Sequence, residues 1–115
     1  MSGYLGLYCG PMFSGKTSKI LSLSKQYDKV GVKSVIVNHA SDLRYSTDNE
    51  LVAHDGSRKN CVMAGELYAF HDPSTPSDVS VFLINEGQFF PDIVKWTHEM
   101  VSSPNSKKVF ISGLD

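Results

Sequence analysis

One stretch constrains the fold of this chain more than any other: Gly10 to Thr17, which reads Gly-Pro-Met-Phe-Ser-Gly-Lys-Thr. A glycine, four residues and then Gly-Lys-Thr is the spacing of a loop that wraps phosphate between a strand and a helix. Gly10 and Gly15 lack a Cβ, so the chain through Pro11, Met12, Phe13 and Ser14 can take the dihedrals that turn successive N–H groups, Pro11 having none, inward on phosphate oxygens. Lys16 adds a mobile cation for the β and γ phosphates. The Thr17 hydroxyl is a hard oxygen of the kind Mg²⁺ accepts.

The flanks agree with that reading. Before the loop, Tyr4, Leu5, Leu7, Tyr8 and Cys9 form a short run of strand-forming types. After it, Ile20, Leu23, Tyr27 and Val30 recur at helical spacing, which predicts a helix from Lys16 to Val30 capped by Gly31. The helix start would then point its partial positive charge at the anion.

Further along, Ser34 to Asn38 predicts a second strand and Val79 to Ile84 the strongest strand of the chain, its unbroken apolar end suiting a central position covered on both faces. From Ala40 to Asn60 the chain turns polar. A connection of that length predicts a functional loop, within which Asp42, Arg44 and the pair His54 and Asp55 carry chemistry. Asn60 to Met63 predicts a short third strand, and Ala64 to Phe70 a short helix. A later helix is expected to begin at Pro91, with Asp92 in its first turn and Ile93, Trp96 and Met100 on one face. Val109 to Ile111 would be the last strand.

Strands alternating with helices imply an α/β fold with a parallel sheet, in which ligands collect at the C-terminal strand ends. The phosphate loop, the Asp42 to Arg44 loop, Asn85 to Gln88 and Asp115 each follow an expected strand, so all should converge there. Glu86 is the carboxylate at its strand end, suited to accept a proton from an attacking hydroxyl.

Composition narrows the function classes. The chain has 115 residues, about one domain, and its 11 Lys and Arg nearly balance 12 Asp and Glu, which gives no basic field for nucleic acid. No apolar run approaches the roughly 20 residues of a membrane span, and a soluble cytoplasmic protein with no membrane partner is the expectation. Cys9 and Cys61 stand far apart beside apolar residues and read as buried thiols.

Taken together, Gly10 to Thr17, Asp-Leu-Arg-Tyr-Ser from Asp42, His54-Asp55, Asn-Glu-Gly-Gln-Phe-Phe-Pro-Asp-Ile from Asn85, and the final Gly-Leu-Asp resemble the type II thymidine kinases in order and spacing. The resemblance covers nearly the whole chain. It implies a P-loop NTPase (RecA-like) sheet flanked by helices, residues 1–115 forming the nucleotide-binding kinase domain. It further implies transfer of the ATP γ-phosphoryl group to the 5′-hydroxyl of deoxythymidine, with Glu86 as catalytic base.

By the same resemblance, ATP would contact Gly10, Pro11, Met12, Phe13, Ser14, Gly15, Lys16, Thr17, Asp42, Arg44, Asn85 and Gln88. Met12, Phe89 and Leu114 would meet the nucleoside, and Mg²⁺ would sit on Thr17 and, weakly, Asn85. A homo-oligomer, a tetramer in the family, is also implied. Two departures stand out: Asn85 replaces the family's aspartate, and the family's lasso segment and four-cysteine zinc domain have no counterpart here, so no zinc site is expected in this chain. A nucleotide-binding module without transfer, or an assembly role, therefore remains open beside the kinase.

Overall fold

The computed structural model describes residues 3–9, 16–39, 50–52, 58–102 and 104–113. Five strands form one parallel sheet: β1 (Tyr4–Cys9), β2 (Ser34–His39), β5 (Val62–Ala64), β6 (Val81–Ile84) and β7 (Lys108–Gly113), in the order β1-β7-β6-β2-β5. The helices are α1 (Lys16–Lys29), the short α2 (Leu67–Phe70) and α3 (Ile93–Val101). This is the α/β architecture expected from the alternation of elements.

Alternation along the strands divides the core between two faces, because successive side chains point to opposite sides of a sheet. Ile36, Val81, Leu83 and Phe110 pack with Ile20, Leu21 and Leu23 of α1. Val37, Phe82, Ile84 and Val109 pack with Leu67, Phe90, Trp96 and Met100 on the other side. All of β6 is buried, as its apolar run predicts.

α1 ends one residue earlier than expected, and Val30 lies beyond it, 70% exposed rather than on the buried face. Gly31 takes φ 75°, with its N–H bonded to Asp28 O at 3.1 Å and Val32 N–H bonded to Tyr27 O at 3.0 Å. These two bonds satisfy the last helical carbonyls in a left-handed cap, which glycine enters without a Cβ penalty.

Several expectations are corrected. The polar stretch before Asn60 is not simply a loop, since β3 (Glu50–Val52) and β4 (Arg58–Asn60) pair as a separate antiparallel ladder. The single strand expected over Asn60 to Met63 divides at Cys61, β4 joining that ladder and β5 the main sheet. β1 lies at the sheet edge, with Leu5 and Leu7 exposed, and Cys9 is exposed while Cys61 is buried; neither forms a disulfide among the described residues.

α3 starts at Ile93, after Pro91. Asp92 serves α2 instead of its own first turn: Leu67 N donates to its Oδ1 at 3.0 Å and Tyr68 N to its Oδ2 at 2.9 Å. Those amides would otherwise lack helical acceptors. Trp96 Nε1 donates to His71 O at 2.9 Å, tying α3 to the end of α2.

Candidate functional site

Parallel pairing brings the C-terminal ends of β1, β2, β6 and β7 to one edge of the sheet. α1 starts beside that edge and runs back along the sheet away from it. Its 14 residues span about 21 Å, and Lys19 Nζ lies over the Tyr8 ring, 5.4 Å from its centroid, near the end of β1. The first turn of α1, with Lys16 at its start and Thr17 half-buried, therefore stands beside the strand ends. β1 and β6 are separated only by β7, so their ends lie about 10 Å apart. That spacing suits a phosphate chain meeting a small acceptor.

At the end of β6 the backbone makes an abrupt turn. Asn85 N donates to Val37 O at 2.9 Å, and Glu86 then takes φ 56°, ψ 53° before a 3-10 turn over Gly87–Phe89. A glutamate held in this left-handed region stores about 1–3 kcal/mol of strain, which persists only when its surroundings determine it. Glu86 is only 7% exposed, and its Oε2 accepts a 2.7 Å hydrogen bond from Gln88 Nε2.

Close packing holds the turn. A Cβ at Gly87 would overlap Ile111 Cγ2, and one at Gly113 would overlap Gln88 Oε1. Glycine at these two positions lets β7 press against the turn and leaves room for the Gln88 amide that holds Glu86. Phe89 is 46% exposed, whereas Phe90 is buried. His39, the last residue of β2, lies against both rings, with centroids 5.9 Å from Phe89 and 5.0 Å from Phe90.

Behind Glu86 lies a buried polar row. Ser112 Oγ donates to Asn85 Oδ1 at 2.9 Å, and Asn85 Nδ2 donates to Asn38 Oδ1 at 3.3 Å. The structure thus brings together Asn85, Glu86, Gln88 and Phe89, with Thr17 at the same sheet edge. Gly10, Pro11, Met12, Phe13, Ser14, Gly15, Asp42, Arg44, His54, Asp55, Leu114 and Asp115 lie outside the described residues.

Sequence reasoning missed Asn38, His39 and Ser112, and used Gly113 only as part of the final Gly-Leu-Asp. The available signal was position alone: each falls in the last two residues of a strand whose C-terminal end borders the site.

A family model described as thymidine kinase matches residues 3–115. The chain belongs to the thymidine kinase family. It is 34% identical over 113 residues to the thymidine kinase of Sheeppox virus (strain KS-1) and 35% identical over 113 residues to those of Raccoon poxvirus and Vaccinia virus (strain Western Reserve). Each alignment covers 98% of this chain and 60% of the relative, so the chain spans about three-fifths of the length of these curated thymidine kinases.

Proposed function

We propose that this chain carries the catalytic part of an ATP-dependent deoxythymidine kinase, residues 1–115 serving as its nucleotide-binding domain. The observation that carries the reading is Glu86, a buried carboxylate held by Gln88 at the end of β6, on the sheet edge where α1 begins. The thymidine kinases it resembles support the nucleoside class.

In the proposed reaction, Glu86 accepts the 5′-hydroxyl proton while that oxygen forms a bond to the γ phosphorus of ATP. The bond between this phosphorus and the β,γ-bridging oxygen breaks, and ADP leaves. The amides at the start of α1 would stabilise the phosphates, joined by Lys16 and the backbone of Gly10 to Gly15. Asp42, Arg44 and Gln88 complete the nucleotide contacts.

Mg²⁺ would be held by the Thr17 hydroxyl together with phosphate and water oxygens, and when bound it offsets charge on the transferring group. Asn85 fits the ion poorly. Its amide oxygen carries no formal charge, is fully buried and already accepts the Ser112 hydroxyl. Phe89, with Met12 and Leu114, would form an apolar wall for the base. Family resemblance also supports a homo-oligomer and a cytoplasmic setting, and no helix among the described residues is long and apolar enough to cross a membrane.

The test is incubation of the purified chain with ATP, Mg²⁺ and deoxythymidine beside a Glu86→Gln variant. Thymidine monophosphate should form and fall about 10²–10⁴-fold in the variant, the usual contribution of a positioned base. ATP binding without product would replace the kinase with a nucleotide-binding module. A defined oligomer that binds no ATP would point to an assembly role.

A further inference from the structure

Three polar residues close three neighbouring strands of the main sheet. Asn38 is the penultimate residue of β2, Asn85 follows β6, and Ser112 is the penultimate residue of β7. All three are 0% exposed. Their hydrogen bonds run in one line across the sheet, from Ser112 to Asn85 and from Asn85 to Asn38. Buried polar groups joined this way rigidify their surroundings, because breaking one link leaves a partner without water or protein to replace it.

We propose that this row is a clasp that positions Glu86, and that Asn85 acts as a positioning residue and not as a ligand of the metal. The statement about catalysis rests on the kinase reading above; the statement about the turn does not. A left-handed glutamate persists only where its neighbours leave no alternative. Asn85 immediately precedes it and is fixed three ways, through its amide to Val37 O and through both ends of its carboxamide. Immediately after it, Gly87 is held beneath Ile111. Rotation of the backbone at Glu86 is thus blocked from both sides, and its carboxylate stays beside Gln88.

The clasp also contains its own control. Asn38 Nδ2 is buried without a partner among the described residues. A half-turn of the Asn38 amide would offer that donor to an aspartate at position 85, while the Ser112 hydroxyl would still donate to the other carboxylate oxygen. Asn85→Asp therefore changes the charge near the metal while leaving the clasp linked.

The experiment uses the full chain with Ser112→Ala, Ser112→Thr, Asn85→Ala and Asn85→Asp. Hydrogen exchange of the ligand-free protein reads the turn at the amides of Phe89 and Phe90, which donate to Glu86 O and Gly87 O. Ser112→Ala should speed their exchange about tenfold and Ser112→Thr, which keeps the hydroxyl, should restore it. In turnover, Ser112→Ala should lower kcat about tenfold with KM for ATP within about twofold, the pattern of a misplaced base. Asn85→Ala, which removes the amide altogether, should leave the half-saturating Mg²⁺ concentration within about twofold, and Asn85→Asp, whose clasp stays linked, should keep the exchange of both amides within about twofold of the unmodified chain.

Unchanged exchange in Ser112→Ala, or a tenfold rise in the Mg²⁺ requirement of Asn85→Ala, would overturn the proposal. Should Ser112→Ala fail to fold, Asn38→Ala removes the other end of the clasp and is judged by the same amides. If the unmodified chain makes no thymidine monophosphate, the kinase reading fails, while the exchange result still decides the clasp.

Discussion

Replacing Gly87 with alanine tests whether β7 presses on the turn that carries Glu86. The added methyl would overlap Ile111 Cγ2, and Ile93 Cδ1 and Cγ1 would each lie 3.8 Å from it. Ile111 gives way poorly, since two heavy atoms on its Cβ restrict χ1 and Cγ2 cannot swing away independently. Overpacking of this kind costs about 1–3 kcal/mol. The φ at Gly87 is not left-handed, so alanine also reduces the freedom of the unfolded chain, which offsets about 0.4–1 kcal/mol.

The net loss is therefore about 1.3 kcal/mol, or a fall of roughly 5 °C in Tm for a domain of this size. Urea unfolding of Gly87→Ala, Ile111→Ala and the double variant separates the clash from general damage. Ile111→Ala alone should cost about 2 kcal/mol, and it removes the obstructing methyl. The double variant should then be more stable than the sum of the two losses by about 1–2 kcal/mol. Turnover should follow the same pattern, Gly87→Ala falling at least about tenfold through displacement of Glu86. Additivity within about 0.5 kcal/mol would refute the contact as the reason for glycine.

Other expectations follow from particular contacts. Asp92→Ala leaves the Leu67 and Tyr68 amides without their carboxylate, and should lower the urea midpoint by the equivalent of about 1–2 kcal/mol with m unchanged. Burial holds the His71 imidazole below its ordinary pKa, with Lys107 acting in the same direction and Asp72 opposing. The unfolded chain therefore takes up this proton more readily, and the neutral-histidine contribution is lost as pH falls through about 6.5. Tm should drop between about pH 7.5 and 5.5, and His71→Phe, which keeps a ring against Phe82, should flatten that slope. A thiol reagent should modify Cys9 in the folded chain and reach Cys61 only after denaturant is added, as peptide mapping would read.

Much of the architecture was legible because its signals are local. The Gly-rich loop before a helix-periodic segment located α1, and Gly31 fell where the helix needs a left-handed residue. Four apolar residues ending at Ile84 identified the buried strand, and the carboxylate after it drew attention to Glu86. The misses have a common origin in partners distant along the chain. A run such as Leu5 to Cys9 has strand character whether it pairs on one side or two, so its place at the sheet edge could not be read from it. β3 and β4 are three residues each, too short for alternation to register. Asp92 has the position of a helix-start residue, yet its acceptors are used by amides 24 and 25 residues away.

The amino-acid order alone determined the types of the longer elements, the parallel α/β class and the candidates Asn85, Glu86, Gln88 and Phe89, because propensity, periodicity and turn chemistry act over a few residues. Only the tertiary structure decided which strand lies at the edge, why a Cβ at Gly87 would meet Ile111, and how Ser112 and Asn38 come to hold Asn85 behind a strained Glu86. Those features arise from strands that become neighbours on folding, and the contacts between them have no local signature in the chain.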